Sequence, residues 1–209
     1  MSILTERRTY FVLGSLTIPL FPLSTVLFNG GYLPLHIFEP RYLRMIKDCQ
    51  GAGIGFGVVL IKEGNEVHEG DDHKLPAIHQ VGTLAEIVEV EELPENRLAV
   101  MAVGGAKFQV GATWEETDHL MMGEVTFVPD EPEGPLREED ADLVKLLEYF
   151  VDARDLPSAV RKRIDYTNER DVSVRLADLL PIHSNDKQKL LQMDSPRVRL
   201  TTIRQWSEL

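Results

Sequence analysis

Between Leu16 and Val128 the apolar residues come in short runs separated by Gly and Pro, and in several runs they alternate with polar ones. A period of two puts alternate side chains on opposite faces of a strand, so this stretch predicts a compact β-rich unit. Leu98, Val100, Ala102, Ala106, Phe108 and Val110 share one parity. They predict a long strand over Arg97–Val110, bent or bulged at Gly104-Gly105, a device that curls a sheet toward a barrel. Val125 and Phe127 continue the alternation in a last strand. Ile54–Ile61 is apolar at both parities and contains Gly55 and Gly57, which predicts a strand buried on both sides with close backbone approach.

One helix interrupts the strands. Tyr42, Met45, Ile46 and Cys49 fall at helical spacing within Glu39–Gln50, and Pro40 suits the first turn, where a missing N–H costs nothing. After the turn-rich, acidic stretch 129–135 the apolar period changes from two to about 3.6. Leu143, Leu146, Leu147 and Phe150 form a stripe on a helix expected from Leu136 to Arg154, with Glu138, Glu139 and Asp140 at the end where a helix favours negative charge. Asp171 is a candidate cap for a helix ending near Leu180, and Ser195-Pro196 has the form of a cap followed by proline at the first helical position. None of these helices buries its stripe alone, so they are expected to pack on one another and on the sheet. Two parts follow, a β-rich subdomain over 1–130 with one helix near 39–50 and a helical subdomain over 131–209.

Charge narrows the partners. The net charge is −12 over 209 residues, and residues 63–153 carry 5 basic against 23 acidic side chains, a balance of −18. A surface of that sign repels phosphate backbones, so nucleic acid is not an expected partner. The single cysteine, Cys49, rules out an internal disulfide. With no basic, apolar and small-residue leader pattern and no apolar run near the roughly 20 residues of a membrane helix, a cytoplasmic protein is expected.

Candidate chemistry is sparse. His68, Asp71, Asp72 and His73, with His79 further on, are the candidate metal ligands, although a Gly-rich charged stretch between strands equally describes a solvated loop. Cys49 lies on the apolar helix face, as a packed thiol would. His36 sits at a strand-to-helix junction, and the acids Glu89, Glu91 and Glu92 read as a solvated strand end. No phosphate-binding loop, nucleophile elbow or zinc-protease helix motif is present in the sequence. No enzyme and no cofactor are expected.

Ile18-Pro-Leu-Phe-Pro-Leu23, Val26-Leu-Phe28 and above all Leu33-Pro-Leu-His-Ile-Phe-Glu-Pro-Arg-Tyr-Leu43 resemble the N-terminal substrate-binding domain of Lon proteases. Gly55-Phe-Gly-Val58, Val81-Gly-Thr-Leu-Ala-Glu-Ile87 and Gly104-Gly-Ala-Lys-Phe108 extend the resemblance along nearly the whole chain. It implies an α+β fold, a PUA-like curled β pseudobarrel followed by a small C-terminal helical bundle. It also implies a substrate-recognition role without the ATPase and peptidase modules, for which 209 residues leave no room. Within the matched motif Phe38 and Tyr42 are expected to anchor the helix on the sheet, and Glu39 and Arg41 to pair at its entrance. The expected function is a non-catalytic module in protein quality control that binds exposed segments of unfolded or damaged proteins, or serves as an adaptor or regulator for a AAA+ protease or one dedicated partner. Phe28 and Tyr32, flanking Asn29-Gly30-Gly31, are the candidate binding residues, with burial in the core the equal alternative for each. The alternatives are a small-molecule or metal-binding protein that reuses the fold, and an RNA-binding PUA-like module.

Overall fold

The computed structural model describes residues 15–66, 75–154 and 158–207. Six strands carry the first half: β1 (Leu16–Leu23), β2 (Tyr32–Ile37), β3 (Phe56–Glu63), β4 (Ala77–Leu93), β5 (Arg97–Glu115) and β6 (Met121–Phe127), with helix α1 (Pro40–Ala52) between β2 and β3. Their order is β2-β5-β4-β3-β1-β6, and β6 pairs with β5 as well as β1. The pairings therefore run in a cycle through five strands, and β2 is attached outside it through β5 alone. All pairs are antiparallel except β1 with β3, whose Leu20↔Gly57 register needs the long crossover that β2 and α1 provide.

The long strands bend by adding residues. Against β4, β5 passes from the pair Thr83↔Lys107 to Ala85↔Gly104, so β5 has one extra residue beside the Gly104-Gly105 pair. Gly104 is required by contact: a Cβ there would stand 2.0 Å from the Phe28 carbonyl oxygen. On β4 the shift between Ile87 and Glu89 makes Val88 the extra residue, and its side chain is 62% exposed. This second bulge reverses the inward and outward alternation of β4 from Glu89 onward.

Apolar burial follows the expected stripes. Phe56 to Leu60 of β3 are buried one after another. Tyr42, Met45, Ile46 and Cys49 of α1 pack with Phe21, Phe56 and Val100. Phe38 is not an anchor of this helix; it is 54% exposed, because Ile37 takes the inward position at the end of β2 and the next side chain points out. Glu39 and Arg41 do pair, at 2.7 Å. Arg41 also donates to the His119 carbonyl at 3.1 Å and lies over the Tyr42 ring, 4.5 Å from its centroid.

The second half is helical: a 3₁₀ turn at Glu138–Asp140, then α2 (Ala141–Ala153), α3 (Ser158–Arg161), α4 (Glu169–Leu179), α5 (Ser184–Leu191) and α6 (Pro196–Trp206). Asn168, not Asp171, caps α4, its side chain accepting from the N–H groups of Arg170 and Asp171. Asp171 is two residues inside the helix and accepts instead from the Asp165 N–H. Ser195 caps α6 as expected. Leu143, Leu147, Val172, Leu176, Leu200 and Ile203 from α2, α4 and α6 share one cluster with Val26, Phe28 and Leu60, so the helices bury their stripes on each other and on the strand side of the molecule.

A charged clasp fixes the connection between the halves. Arg199 of α6 is 1% exposed and grips both carboxylate oxygens of Glu131 at 2.8 and 2.5 Å. Its remaining donors reach the carbonyls of Leu190 and Met193 and the Ser173 hydroxyl. Lys107 of β5 approaches Glu131 at 3.3 Å and Asp194 at 2.8 Å. A buried guanidinium is tolerable only with this completeness of pairing.

Candidate functional site

Cross-strand partners share a face of a sheet, and the registers of β2, β5 and β4 assemble three rows. Tyr32, Val103 and Glu86 form the first, Pro34, Met101 and Glu89 the second, and His36, Ala99 and Glu91 the third. The opposite face carries Leu35, Val100 and Val90 and belongs to the core. The second and third rows, Pro34, Met101 and Glu89 with His36, Ala99 and Glu91, line a shallow groove of about 400 Å³, and the first row continues the same face beyond it. Its floor is the half-buried apolar row of β5, one wall is the edge strand β2, and the other is the exposed acidic row of β4.

Each wall has a local cause. Pro34 has no N–H to give a ladder, and an edge strand is where a sheet tolerates it; the same residue blunts the addition of a further strand. Ligands are therefore offered the face more than the edge. Glu89 and Glu91 reach the same face as Glu86 only because the Val88 bulge reverses the alternation. Among the described residues Glu86, Glu89 and Glu91 take part in no ion pair; of the two cations on these strands, both on β5, Lys107 pairs with Glu131 and Asp194 and Arg97 pairs with Glu95 at 3.4 Å.

Of the two candidate binding residues, Tyr32 stands on this face, half-buried, beside Val103. Phe28 does not: it is 1% exposed and packs in the core with Leu143 and Leu176. A large apolar side chain on the short loop between β1 and β2 has the helices to bury against, and it takes that option. His36 is exposed in β2 on the groove wall. Sequence reasoning missed Ala99, Met101, Val103 and the acidic row. The signal was present, since β5 is apolar at both parities from Leu98 to Val103, whereas a strand with one solvated face alternates.

Other candidate chemistry resolves differently. The proposed metal ligands His68, Asp71, Asp72 and His73 lie outside the described residues, and among the described residues no group of three or more His, Cys, Asp or Glu is placed to hold a metal. His79 is held below its ordinary pKa by burial and by Lys62, with a hydrogen bond to the Asn185 side chain opposing them. Cys49 is buried and its thiol approaches the Gly55 carbonyl at 3.6 Å; burial, with Asp48 nearby, pushes its pKa up to about 11, which leaves it protonated and unreactive at neutral pH. A second cavity, of about 490 Å³, lies between the end of β3 and the start of α5. Polar contacts stitch it, the Ser184 hydroxyl donating to the Ser24 carbonyl and the Ser24 N–H to Glu66. Among the described residues no helix is long and apolar enough to cross a membrane.

The family model of the ATP-dependent protease La (LON) substrate-binding domain matches residues 17–206. The chain belongs to this family. A crystal structure of a Lon N-terminal domain protein from Xanthomonas campestris superposes with a TM-score of 0.74 at 30% identity, covering 91% of this chain and 98% of that one. Lon protease of Parabacteroides distasonis is 35% identical over 60% of this chain, and that of Bacillus thuringiensis 30% identical over 89%. The chain spans only 15% and 23% of those two proteases. The likeness thus concerns the Lon substrate-binding domain, and the mixed α+β architecture of a six-stranded sheet with several helices is that of Lon N-terminal domains.

Proposed function

We propose that this Lon-type domain is a non-catalytic module that binds exposed segments of unfolded or damaged proteins and acts as an adaptor or regulator in protein quality control, with the outer face of β2, β5 and β4 as its docking surface. The observation that carries the location is the apolar row Ala99, Met101 and Val103, half-buried where strand alternation calls for polar residues. Membership in a substrate-binding family supports the class of ligand. The cyclic strand pairing supports a PUA-like pseudobarrel, and the contacts among α2, α4, α5 and α6 support a small helical bundle beside it. A floor one strand wide between two walls suits an extended chain, which exposes both backbone and side chains along one line. The acidic wall disfavours RNA.

Binding of a permanently unfolded, reduced and alkylated model protein tests the proposal. The full chain is expected to retain it with micromolar affinity, and Met101→Asp, which sets a charge on the floor, to weaken retention at least about tenfold, a loss of roughly 1.4 kcal/mol. Equal retention by wild type and Met101→Asp, with both folded by circular dichroism, overturns the location; no retention by wild type overturns the function.

A further inference from the structure

We infer that the docking face selects extended segments in which Lys or Arg alternates with apolar side chains. This rests on the reading of that face as the docking surface and adds the class of sequence it takes. Glu89 and Glu91 stand two residues apart on one side of the groove, facing the row of Met101 and Ala99. Two residues of strand advance about 6.6 Å, and alternate side chains of a bound extended segment repeat at the same interval. The walls on β2 and β4 flank β5 at one strand spacing each, so they are roughly 10 Å apart, the width of one extended chain.

Apolar side chains at alternate positions of such a segment settle on Ala99, Met101 and Val103. The intervening side chains point away from the floor, and a Lys or Arg there has the length to lie sideways with its apolar stem on the groove and its charge at the rim. The rim is ready for it. Glu131 has Arg199 and Glu39 has Arg41 as partners, whereas among the described residues Glu89 and Glu91 take part in no ion pair. β2 and β4 carry no Arg or Lys, and Arg97, one row beyond Ala99 on the same face of β5, pairs with Glu95 rather than with this row. A segment with Glu or Asp at those positions meets repulsion from the same row, which makes the preference a matter of exclusion as well as attraction.

Fluorescence anisotropy with three labelled ten-residue probes, alternating Lys-Val, Ser-Val and Glu-Val, tests the inference on the full chain. At 50 mM NaCl the Lys-Val probe is expected to bind on the order of tenfold more tightly than Glu-Val, with Ser-Val between, and the gap to narrow at 500 mM as screening sets in. Glu89→Lys/Glu91→Lys, both at exposed positions, is expected to invert the order while leaving the melting curve in place. Equal affinity for the three probes, or an unchanged order in the double variant, overturns the selectivity and leaves the docking surface standing. Failure of all three to bind, or binding that Met101→Asp does not weaken, overturns the docking surface itself.

Discussion

Two acidic regions of this molecule follow opposite rules. Glu131, in the connection between strands and helices, is enclosed by Arg199 and Lys107 and every oxygen is answered. Glu86, Glu89 and Glu91 on β4 are exposed and answered by no ion pair among the described residues. Burial decides the difference. A carboxylate taken out of water must bring its partners with it or it destabilises the fold, whereas a carboxylate left in water costs the fold little and remains available to a ligand. The first acid holds the halves together, and the second set gives the docking face its sign.

Removing the enclosed partner is expected to have the largest effect. Arg199→Met leaves Glu131 buried beside Lys107 alone and is expected to cost about 3–5 kcal/mol in urea unfolding; a loss below about 1 kcal/mol would separate the clasp from the stability of the fold. Next comes the pair of residues that flank Asn29-Gly30-Gly31. Phe28→Ala opens a cavity in the helix-facing core and is expected to cost about 3 kcal/mol, while Tyr32→Ala costs less stability and weakens retention of the unfolded model protein. Comparable losses of stability at the two positions would place Tyr32 with the core.

Acid sharpens the same contrast. Burial raises the Glu131 carboxyl, but the hydrogen bonds and charge of Arg199, together with Lys107, outweigh it and hold the pKa below its ordinary value. A depressed carboxyl contributes stability in full above its unfolded pKa, near 4.3, and loses it as pH falls through the folded pKa. Wild type is therefore expected to lose stability as pH falls below about 4.3, and Glu131→Gln, less stable at pH 7, to show a shallower loss over the same window by denaturant titration. Parallel curves would assign the acid sensitivity elsewhere. The smallest stability effect belongs to the open acids: Glu89→Gln/Glu91→Gln is expected to stay within about 0.5 kcal/mol of wild type while weakening the Lys-Val probe. A larger change in stability would mean that these carboxylates already serve the fold.

Much of the architecture was legible in the sequence where one physical rule acts alone. The apolar face of α1 and the double-sided burial of β3 follow from spacing, and the Ser195 cap from residue type. The extra residue beside Gly104-Gly105 was legible too, because two glycines in a strand mark close backbone approach. The docking face was harder to read. Val88 looks like one more apolar residue of β4, yet as the bulged residue it changes which acids share a face, and a bulge depends on the register of two strands rather than on the spacing within one. Phe28 stayed open between binding patch and core for a related reason: proximity to an Asn-Gly-Gly turn argues for exposure, and only the helices packing beside the loop decide for burial. Asn168 took the cap expected of Asp171 because both residues can accept from backbone N–H groups, and backbone hydrogen bonds from Leu136 to Thr167 and from Glu169 to Gly134 hold the chain extended up to Asn168.

Backbone amide chemical shifts of the full chain, followed by NMR during titration with the Lys-Val probe, test the central claim most directly. The account predicts perturbations concentrated in Tyr32–His36, Glu86–Glu91 and Ala99–Val103, with α2, α4 and α6 unmoved. Perturbations centred on the helices, or spread evenly over the molecule, would contradict it.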